Sequence, residues 1–309
     1  MRLVFAGTPA PAVPSLERLV GRGDHEVVGV VTRPDAPLGR KRVLTPSPVA
    51  AAAEAHGLPV VKAARLDEEA TARIEALRPD LGVIVAYGGL VREPLLSTPR
   101  LGWINLHFSV LPAWRGAAPV QHAIIADDAE LGASVFQLVP ELDAGDVFAA
   151  RSWPNDAGLT AGAALEMLAD RGADLLAEVV DGLVAGTARA VPQTGEPSLA
   201  PKLAIDDGRL DWRLDARAVL ARFRGTTPEP GAWTTLGGER LKVLEARPLD
   251  PSEAVEPLAA GELRPERRRV LVGTADAPVE LVRVQPAGKG AMAAADWGRG
   301  LAESLRTLE

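Results

Sequence analysis

Residues 81–86, Leu81-Gly82-Val83-Ile84-Val85-Ala86, form an uninterrupted apolar run, and similar runs occur at residues 3–6 and 27–31. Runs of this length and composition are typical of strands that are buried on both faces of a sheet. Segments with apolar residues at helical spacing separate the runs: residues 13–19, 48–56 and 68–77. Strands that alternate with helices predict a Rossmann-like, doubly wound and mainly parallel sheet, so the expected fold class is α/β.

A further strand is predicted at residues 103–107, where an apolar start runs into polar residues. Ligands of doubly wound sheets bind beyond the carboxyl ends of the strands. We therefore expect one crevice to be formed by the loops that follow Ala6, Val31, Ala86 and His107.

The loop after the first strand, residues 5–9, contains Gly7 but lacks the Gly-x-Gly-x-x-Gly pattern of a dinucleotide site. Pro9, Pro11 and Pro14 also lack the amide hydrogens that would bind a pyrophosphate. The pattern therefore favours a tight strand-to-helix turn over a site for NAD.

The pattern changes after residue 130. Residues 134–148 predict a strand, a turn that contains Asp143, and a second strand, and residues 161–184 predict a long helix. Residues 186–201 contain proline and glycine without helical periodicity, which is typical of a linker.

The rest of the chain predicts a smaller second domain. A helix is expected at residues 215–223, followed by short strands at 231–235, 240–245, 269–272 and 279–284. This order indicates a β-rich, barrel-like domain similar to the OB fold. The expected organisation is a catalytic domain at residues 1–185, a linker at 186–203 and a C-terminal domain at 204–309.

The composition excludes several kinds of site. The 309 residues include no cysteine, which excludes disulfides, a thiolate nucleophile and every metal site built from cysteine. The four histidines, His25, His56, His107 and His122, show no metal-ligand spacing. We expect no metal, while a site made of histidine and carboxylates stays open.

The net charge of −7 argues against a generally basic surface for nucleic acid. Residues 201–309, with 17 basic and 17 acidic side chains, carry no net charge and include arginine clusters at 217–224 and 264–269. These clusters weakly indicate an anionic partner, and a solvated basic face is the simpler interpretation. No signal-type run precedes Gly7 and no apolar stretch has the length of a membrane span, so a cytoplasmic protein without membrane contact is expected.

Asn105 and His107 are the first candidates for chemistry. They lie two residues apart at a strand end, so their side chains share one face of the sheet. An amide donor beside an imidazole suits a carbonyl oxygen that becomes negatively charged during a reaction. The alternative, a packed core histidine and an amide that caps a loop, stays open on spacing alone.

Two longer motifs extend this segment. Residues 105–121 contain Asn105-Leu106-His107, Ser109-Val110-Leu111-Pro112 and Arg115-Gly116-Ala117-Ala118-Pro119, and residues 141–146 read Glu-Leu-Asp-Ala-Gly-Asp. Together they resemble the two signatures of the folate-dependent formyltransferases. Further matching segments occur in order along the chain, from residues 5–9 to 288–292, and they point to the members that act on tRNA.

The resemblance implies a reaction and its residues. An amino group attacks the formyl carbon of 10-formyltetrahydrofolate, a tetrahedral intermediate collapses, and no metal or covalent enzyme intermediate takes part. The catalytic asparagine, histidine and aspartate match Asn105, His107 and Asp143. Asn105 and His107 would stabilise the formyl oxygen, while Asp143 would orient His107 and help the attacking ammonium lose its proton.

The resemblance also implies a folate pocket formed largely by main chain. The matching positions are Gly88, Gly89, Leu90, Val91, Ser109, Val110, Leu111, Pro112, Glu141 and Leu142. Val110 replaces the leucine that is usual in Ser-Leu-Leu-Pro, which keeps an apolar wall.

The basic loop at residues 34–42 would by itself be a mobile surface loop. The resemblance implies instead that Arg40, Lys41 and Arg42 contact the acceptor stem of the tRNA, with Arg40 as the recognition residue. Lys41 stands where a second glycine is common in this loop. The implied partners are methionyl initiator tRNA and the folate co-substrate, and a monomer is expected.

Rival interpretations remain. The same catalytic residues serve related enzymes that formylate an amino sugar attached to a nucleotide. Water in place of the amine would give a hydrolase that releases formate. A protein that only binds folate or RNA is disfavoured because Asn105, His107 and Asp143 are all present.

Overall fold

The computed structural model describes residues 1–39, 41–156, 158–250, 252–253, 255–302 and 306–309. The strands of the first two-thirds are β1 Arg2–Gly7, β2 Glu26–Thr32, β3 Ala36–Leu38, β4 Val43–Thr45, β5 Val60–Lys62, β6 Leu81–Val85, β7 Trp103–His107, β8 Arg115–Gly116, β9 Glu130–Gln137, β10 Val147–Pro154 and β11 Leu199–Ala200. The last third adds β12 Trp233–Leu236, β13 Glu239–Pro248, β14 Leu263–Pro265, β15 Val270–Val272, β16 Val279–Pro286 and β17 Met292–Ala293.

Local sequence signals explain where the helices begin. The helices are α1 Val13–Leu19, α2 Pro48–Ala55, α3 Glu68–Ala76, α4 Pro119–Ile125, α5 Ala161–Val184, α6 Ala216–Gly225 and α7 Ala294–Arg299, with 3-10 turns at Ala10–Ala12 and Ile205–Gly208. Ser47, Asp67 and Asp215 cap α2, α3 and α6, each side chain accepting from a backbone N–H in the first turn. None of the helices within the described ranges is long and apolar enough to cross a membrane.

The chain forms two compact units. The first comprises Met1–Pro119, Glu130–Pro154 and Leu165–Pro201, and the second comprises Val120–Ala129, Asn155–Ala164 and Lys202–Glu309. The division into a catalytic domain at 1–185, a linker at 186–203 and a C-terminal domain at 204–309 stays a prediction.

The first unit is built on a sheet with the strand order β10-β9-β7-β6-β1-β2-β5. Strands β7, β6, β1, β2 and β5 run parallel, whereas β9 and β10 add an antiparallel edge. Leu3, Val4, Phe5 and Ala6 are completely buried, as expected for a central strand covered on both faces. The predicted Rossmann-like, mainly parallel sheet is confirmed.

The second unit contains an antiparallel sheet with the order β12-β13-β16-β15-β14, and β17 pairs with β16. Its core gathers Trp212 and Phe223 with strand residues such as Val243, Val272 and Leu281. The Trp212 indole N–H is satisfied inside this core because it donates to Thr234 Oγ1 at 2.9 Å. The sheet forms a half-barrel, which confirms the prediction of a smaller β-rich, barrel-like second domain.

The segment at residues 186–201 contains no helix, in agreement with the sequence pattern, but it packs within the first unit. Val191 bridges to Val147, and β11 pairs in parallel with β8. Gly116 in β8 has φ of 123°, and a Cβ there would lie 2.7 Å from Ala200 O, so this pairing requires glycine.

Candidate active site

A cavity of about 710 Å³ lies at the carboxyl ends of β6 and β7. Its wall is formed by four parts of the first unit: residues 84 and 86–90, residues 105–108, residues 115–117 and 119 with Leu199 and Pro201, and Leu142 with Asp143. The loop after Ala6 contributes indirectly, since Thr8 Oγ1 donates to Tyr87 O at 3.1 Å. The expected crevice therefore exists, but Thr8 only supports the wall residue Tyr87. None of the described residues in the loop that follows Val31 lines the cavity.

His107, the last residue of β7, is buried in the cavity wall with its ring edge-on to Phe136 at a centroid distance of 6.4 Å. Its Nε2–H donates to Trp114 O at 2.9 Å. A carbonyl oxygen only accepts, so Nε2 carries the hydrogen and Nδ1 holds the lone pair of the neutral ring. His107 Nδ1 is therefore the nitrogen available for proton transfer.

Asp143 lies in the loop between β9 and β10 and faces His107. Its Oδ2 is 3.9 Å from His107 Nδ1, with the two side chains only 7% and 11% exposed. The same oxygen accepts from Gly116 N at 2.8 Å. Asp143 has φ of 46°, a left-handed conformation that is uncommon for a residue with a side chain.

The surroundings of His107 shift its pKa in opposite directions. Burial lowers the pKa of His107, while the negative charge of Asp143 and the hydrogen bond to Trp114 O raise it, and the net direction is down. The ring is therefore neutral at rest near pH 7. A proton that arrives at Nδ1 is stabilised by Asp143.

Asn105 precedes His107 by two residues on β7, and both line the cavity. Its backbone is fixed between Ile84 of β6 and Phe136 of β9. No described residue forms a hydrogen bond with the Asn105 side-chain amide, which leaves the amide free to bind a ligand. The structure thus brings Asn105, His107 and Asp143 to one cavity, although they come from two separate segments.

Two family models cover most of the chain. Residues 1–180 match the formyl transferase model, and residues 202–302 match the model of the formyl transferase C-terminal domain. The chain belongs to the formyl transferase family.

Among curated relatives of this formyl transferase is the methionyl-tRNA formyltransferase of Leifsonia xyli subsp. xyli. The two are 62% identical over 97% of each chain.

Two solved structures share the fold. The N-formyltransferase of Helicobacter canadensis, in complex with folinic acid and dTDP-3-aminofucose, is 15% identical over 92% of this formyl transferase and 98% of that chain, with a TM-score of 0.69. HypX of Aquifex aeolicus in complex with tetrahydrofolic acid is 16% identical, with a TM-score of 0.61. The match covers 96% of this formyl transferase and 46% of HypX, so the chain spans about half the length of that protein.

The positions expected to bind folate fall into two groups in this formyl transferase. Gly88, Gly89, Leu90 and Leu142 line the cavity, whereas Val91, Ser109, Val110, Leu111, Pro112 and Glu141 are not among its lining residues. The second group includes a turn held by its own hydrogen bonds. Ser109 Oγ donates to Ala113 O at 2.6 Å, and Ser134 Oγ donates to Ser109 O at 2.8 Å.

Several residues that form the site were not singled out from the sequence. Gln193 and Ser198 bond to the segments that carry Asp143 and Trp114, and Leu199 lines the cavity. The proline- and glycine-bearing segment around them has no periodic pattern that marks a buried role. A polar Gln193 between Pro192 and Gly195 was the only available signal.

The expected tRNA loop forms the hairpin of β3 and β4. Lys41 and Arg42 are exposed at its turn, and Arg42 has φ of 50°. Arg40 lies outside the described residues. Leu38, Val43 and Leu44 are also strongly exposed, so the hairpin combines cationic and apolar side chains.

Among the described residues of this formyl transferase, no group of three or more histidine, aspartate or glutamate side chains is arranged to hold a metal ion.

Proposed function

We propose that this formyl transferase transfers the formyl group of 10-formyltetrahydrofolate to the amino group of methionyl initiator tRNA. The product is the formylmethionyl-tRNA that starts translation. The observation that carries the chemistry is the convergence of the Asn105 amide and the buried His107–Asp143 pair on one cavity. The acceptor rests on the methionyl-tRNA formyltransferase that is 62% identical to this chain.

The cavity suits the folate donor. Its volume of about 710 Å³ lies within the range of roughly 300–1,000 Å³ that is usual for small-molecule sites. Gly88 and Gly89 offer main-chain groups to the polar edge of a pterin, while Leu90 and Leu142 offer apolar contacts. Folinic acid and tetrahydrofolic acid in the two structural neighbours are consistent with this occupant.

Bound folate supplies the activated formyl carbonyl, and the protein supplies the groups around it. Asn105 donates to the formyl oxygen through its side-chain N–H, which stabilises negative charge on that oxygen. His107 takes up a proton at Nδ1 as the amino nitrogen bonds to the formyl carbon. It donates that proton from the same nitrogen to the folate nitrogen when the bond between this nitrogen and the formyl carbon breaks, because Nε2–H is held by Trp114 O.

Asp143 controls the protonation of His107. Its carboxylate stabilises the imidazolium across 3.9 Å and promotes loss of the proton from the attacking amino group, directly or through water. Gly116 N–H keeps one carboxylate oxygen in place during this step.

The rest of the chain serves the acceptor. Arg40, Lys41 and Arg42 contact phosphates of the acceptor stem, and the domain at residues 204–309 binds the tRNA body, while residues 1–185 hold the catalytic groups. Such contacts release counterions, so binding weakens as salt rises. The protein acts as a monomer in the cytoplasm, where its acceptor is charged.

The acceptor is tested by offering purified protein 10-formyltetrahydrofolate with charged initiator tRNA, charged elongator tRNA, an amino sugar nucleotide, or no acceptor. We expect formylation only of the initiator charged with methionine. Formylation of the amino sugar nucleotide would show that the acceptor is an amino sugar and not a tRNA. Rapid release of formate without an acceptor would indicate a hydrolase.

A further inference from the structure

Gln193 makes hydrogen bonds with both ends of its side-chain amide. Its Nε2 donates to Asp143 O and to Gly145 O, each at 2.8 Å. Its Oε1 accepts from Arg115, at 3.2 Å from Nε and 2.6 Å from Nη2. Since a guanidinium can only donate, Arg115 fixes which end of the amide points at the Asp143 loop.

The loop that Gln193 contacts is held in an unfavourable conformation. Asp143 has φ of 46°, which costs energy in a residue with a side chain. Gly145 is packed against Gln137 O so closely that a Cβ would lie only 1.8 Å from it. The two bonds from Gln193 span these residues and offset the cost of holding Asp143 beside His107.

A second bond from the same stretch supports the other partner of His107. Ser198 Oγ accepts from Trp114 N at 2.8 Å, and Trp114, with φ of 61°, is also left-handed. The Trp114 carbonyl is the acceptor for His107 Nε2–H. Gln193 and Ser198 thus form hydrogen bonds with the two residues that flank the imidazole, Asp143 and Trp114.

We propose that Gln193 is a positioning residue for the reaction described under Proposed function, on which this inference rests. Its amide holds the Asp143 backbone in the left-handed conformation that places the carboxylate next to His107 Nδ1. Gln193 does not line the cavity, so it acts through Asp143 and is not a catalytic residue.

The test compares two substitutions in the full-length protein. Gln193→Met keeps the length of the side chain and removes both donors and the acceptor. Gln193→Glu keeps an acceptor for Arg115 but removes the two donors. Gln285→Met is the matched control, because Gln285 Nε2 also donates to a backbone carbonyl, Lys289 O, in an exposed part of the second unit.

We expect kcat to fall about 10²-fold in both Gln193 variants, as is typical when a reacting group is misplaced by a distant change. KM for 10-formyltetrahydrofolate should change less than kcat, because Gln193 itself does not line the cavity. The pKa of His107, followed by NMR titration of its ring proton, should fall further, because Asp143 no longer faces the ring. The control should match the unaltered protein in all three measurements.

The outcomes separate positioning from a structural role. Normal kcat in Gln193→Glu would show that the donors are not needed and would overturn the proposal. A Gln193→Met protein that melts earlier but keeps its kcat and its His107 pKa would make Gln193 structural. If Gln193→Met does not fold by circular dichroism, Gln193→Glu decides the matter. An unaltered protein inactive on methionyl initiator tRNA would overturn the proposed function, whereas the His107 titrations still test Gln193.

Discussion

Asp143→Asn isolates the charge at the centre of the proposed mechanism. The asparagine keeps the size of the side chain, and its amide oxygen still accepts from Gly116 N, which Asp143 Oδ2 now meets at 2.8 Å. What disappears is the negative charge 3.9 Å from His107 Nδ1. We therefore expect a loss of turnover without loss of the fold.

The distance sets the size of the effect. Two unit charges about 4 Å apart attract by roughly 4 kcal/mol at an effective dielectric constant of about 20. A barrier raised by that amount slows a reaction by about 10³-fold. The imidazolium is only partly formed in the transition state, so a fall in kcat of about 10²–10³-fold is expected.

The assay is formylation of methionyl initiator tRNA at saturating 10-formyltetrahydrofolate, combined with NMR titration of His107. The pKa of His107 should fall, because burial still lowers it and the opposing charge is gone. Asp146→Asn removes the same charge from an exposed position in the same loop and should leave both measurements unchanged. Near-normal turnover in Asp143→Asn, or an unchanged His107 pKa, would refute the role assigned to the pair.

Three further predictions concern single groups. Asn105→Ala should lower kcat by about 10²–10³-fold with little change in KM for the folate, as measured by steady-state kinetics. A rise in KM of that size with kcat unchanged would contradict this prediction. Gly145→Ala should destabilise the fold by about 1–3 kcal/mol in urea unfolding, because its Cβ would meet Gln137 O. Gly290→Ala, where a Cβ meets open space, should be neutral. Arg42→Ala should make the slope of log tRNA affinity against log salt shallower by about one unit, the change expected when one phosphate contact is lost. An unchanged slope would show that Arg42 is not in the interface.

The parts of the fold that follow from local pattern were predictable. Strands β1, β2 and β6 contain continuous apolar runs, and β7 begins as one before it reaches Asn105 and His107. Helix α5 is predicted at its observed bounds, Ala161–Val184, since its apolar residues keep a helical period. Strand β14, Leu263–Pro265, was missed because three residues between charged neighbours give no alternation. The pairing of β8 with β11 joins residues more than 80 positions apart and depends on tertiary hydrogen bonds.

The site residues also divide into those that local sequence pattern predicts and those that depend on tertiary contacts. Asn105 and His107 were visible as two polar residues on one strand face, but Asp143 was tied to them only by the resemblance to a family. Trp114 acts through its own backbone carbonyl, which leaves no trace in residue type. The Gln193 side chain donates to the backbone carbonyls of Asp143 and Gly145, and these partners cannot be read from the sequence. Left-handed residues such as Trp114 and Asp143 are likewise invisible when they are not glycine.

The position of Asp143 at the end of the β9–β10 hairpin limits how the chain can change in length. The two strands pair in a fixed antiparallel register, with Gly132 opposite Ser152 and a shift between Val147 and Ala149. Insertion of one residue between Glu130 and Asp143 would advance the loop by about 3.3 Å or reverse the faces of the strand. Either change would separate Asp143 from His107. Length variation in this family member should therefore be tolerated at exposed turns such as the one around Gly238 and excluded from the hairpin, which random insertion libraries selected for activity would reveal.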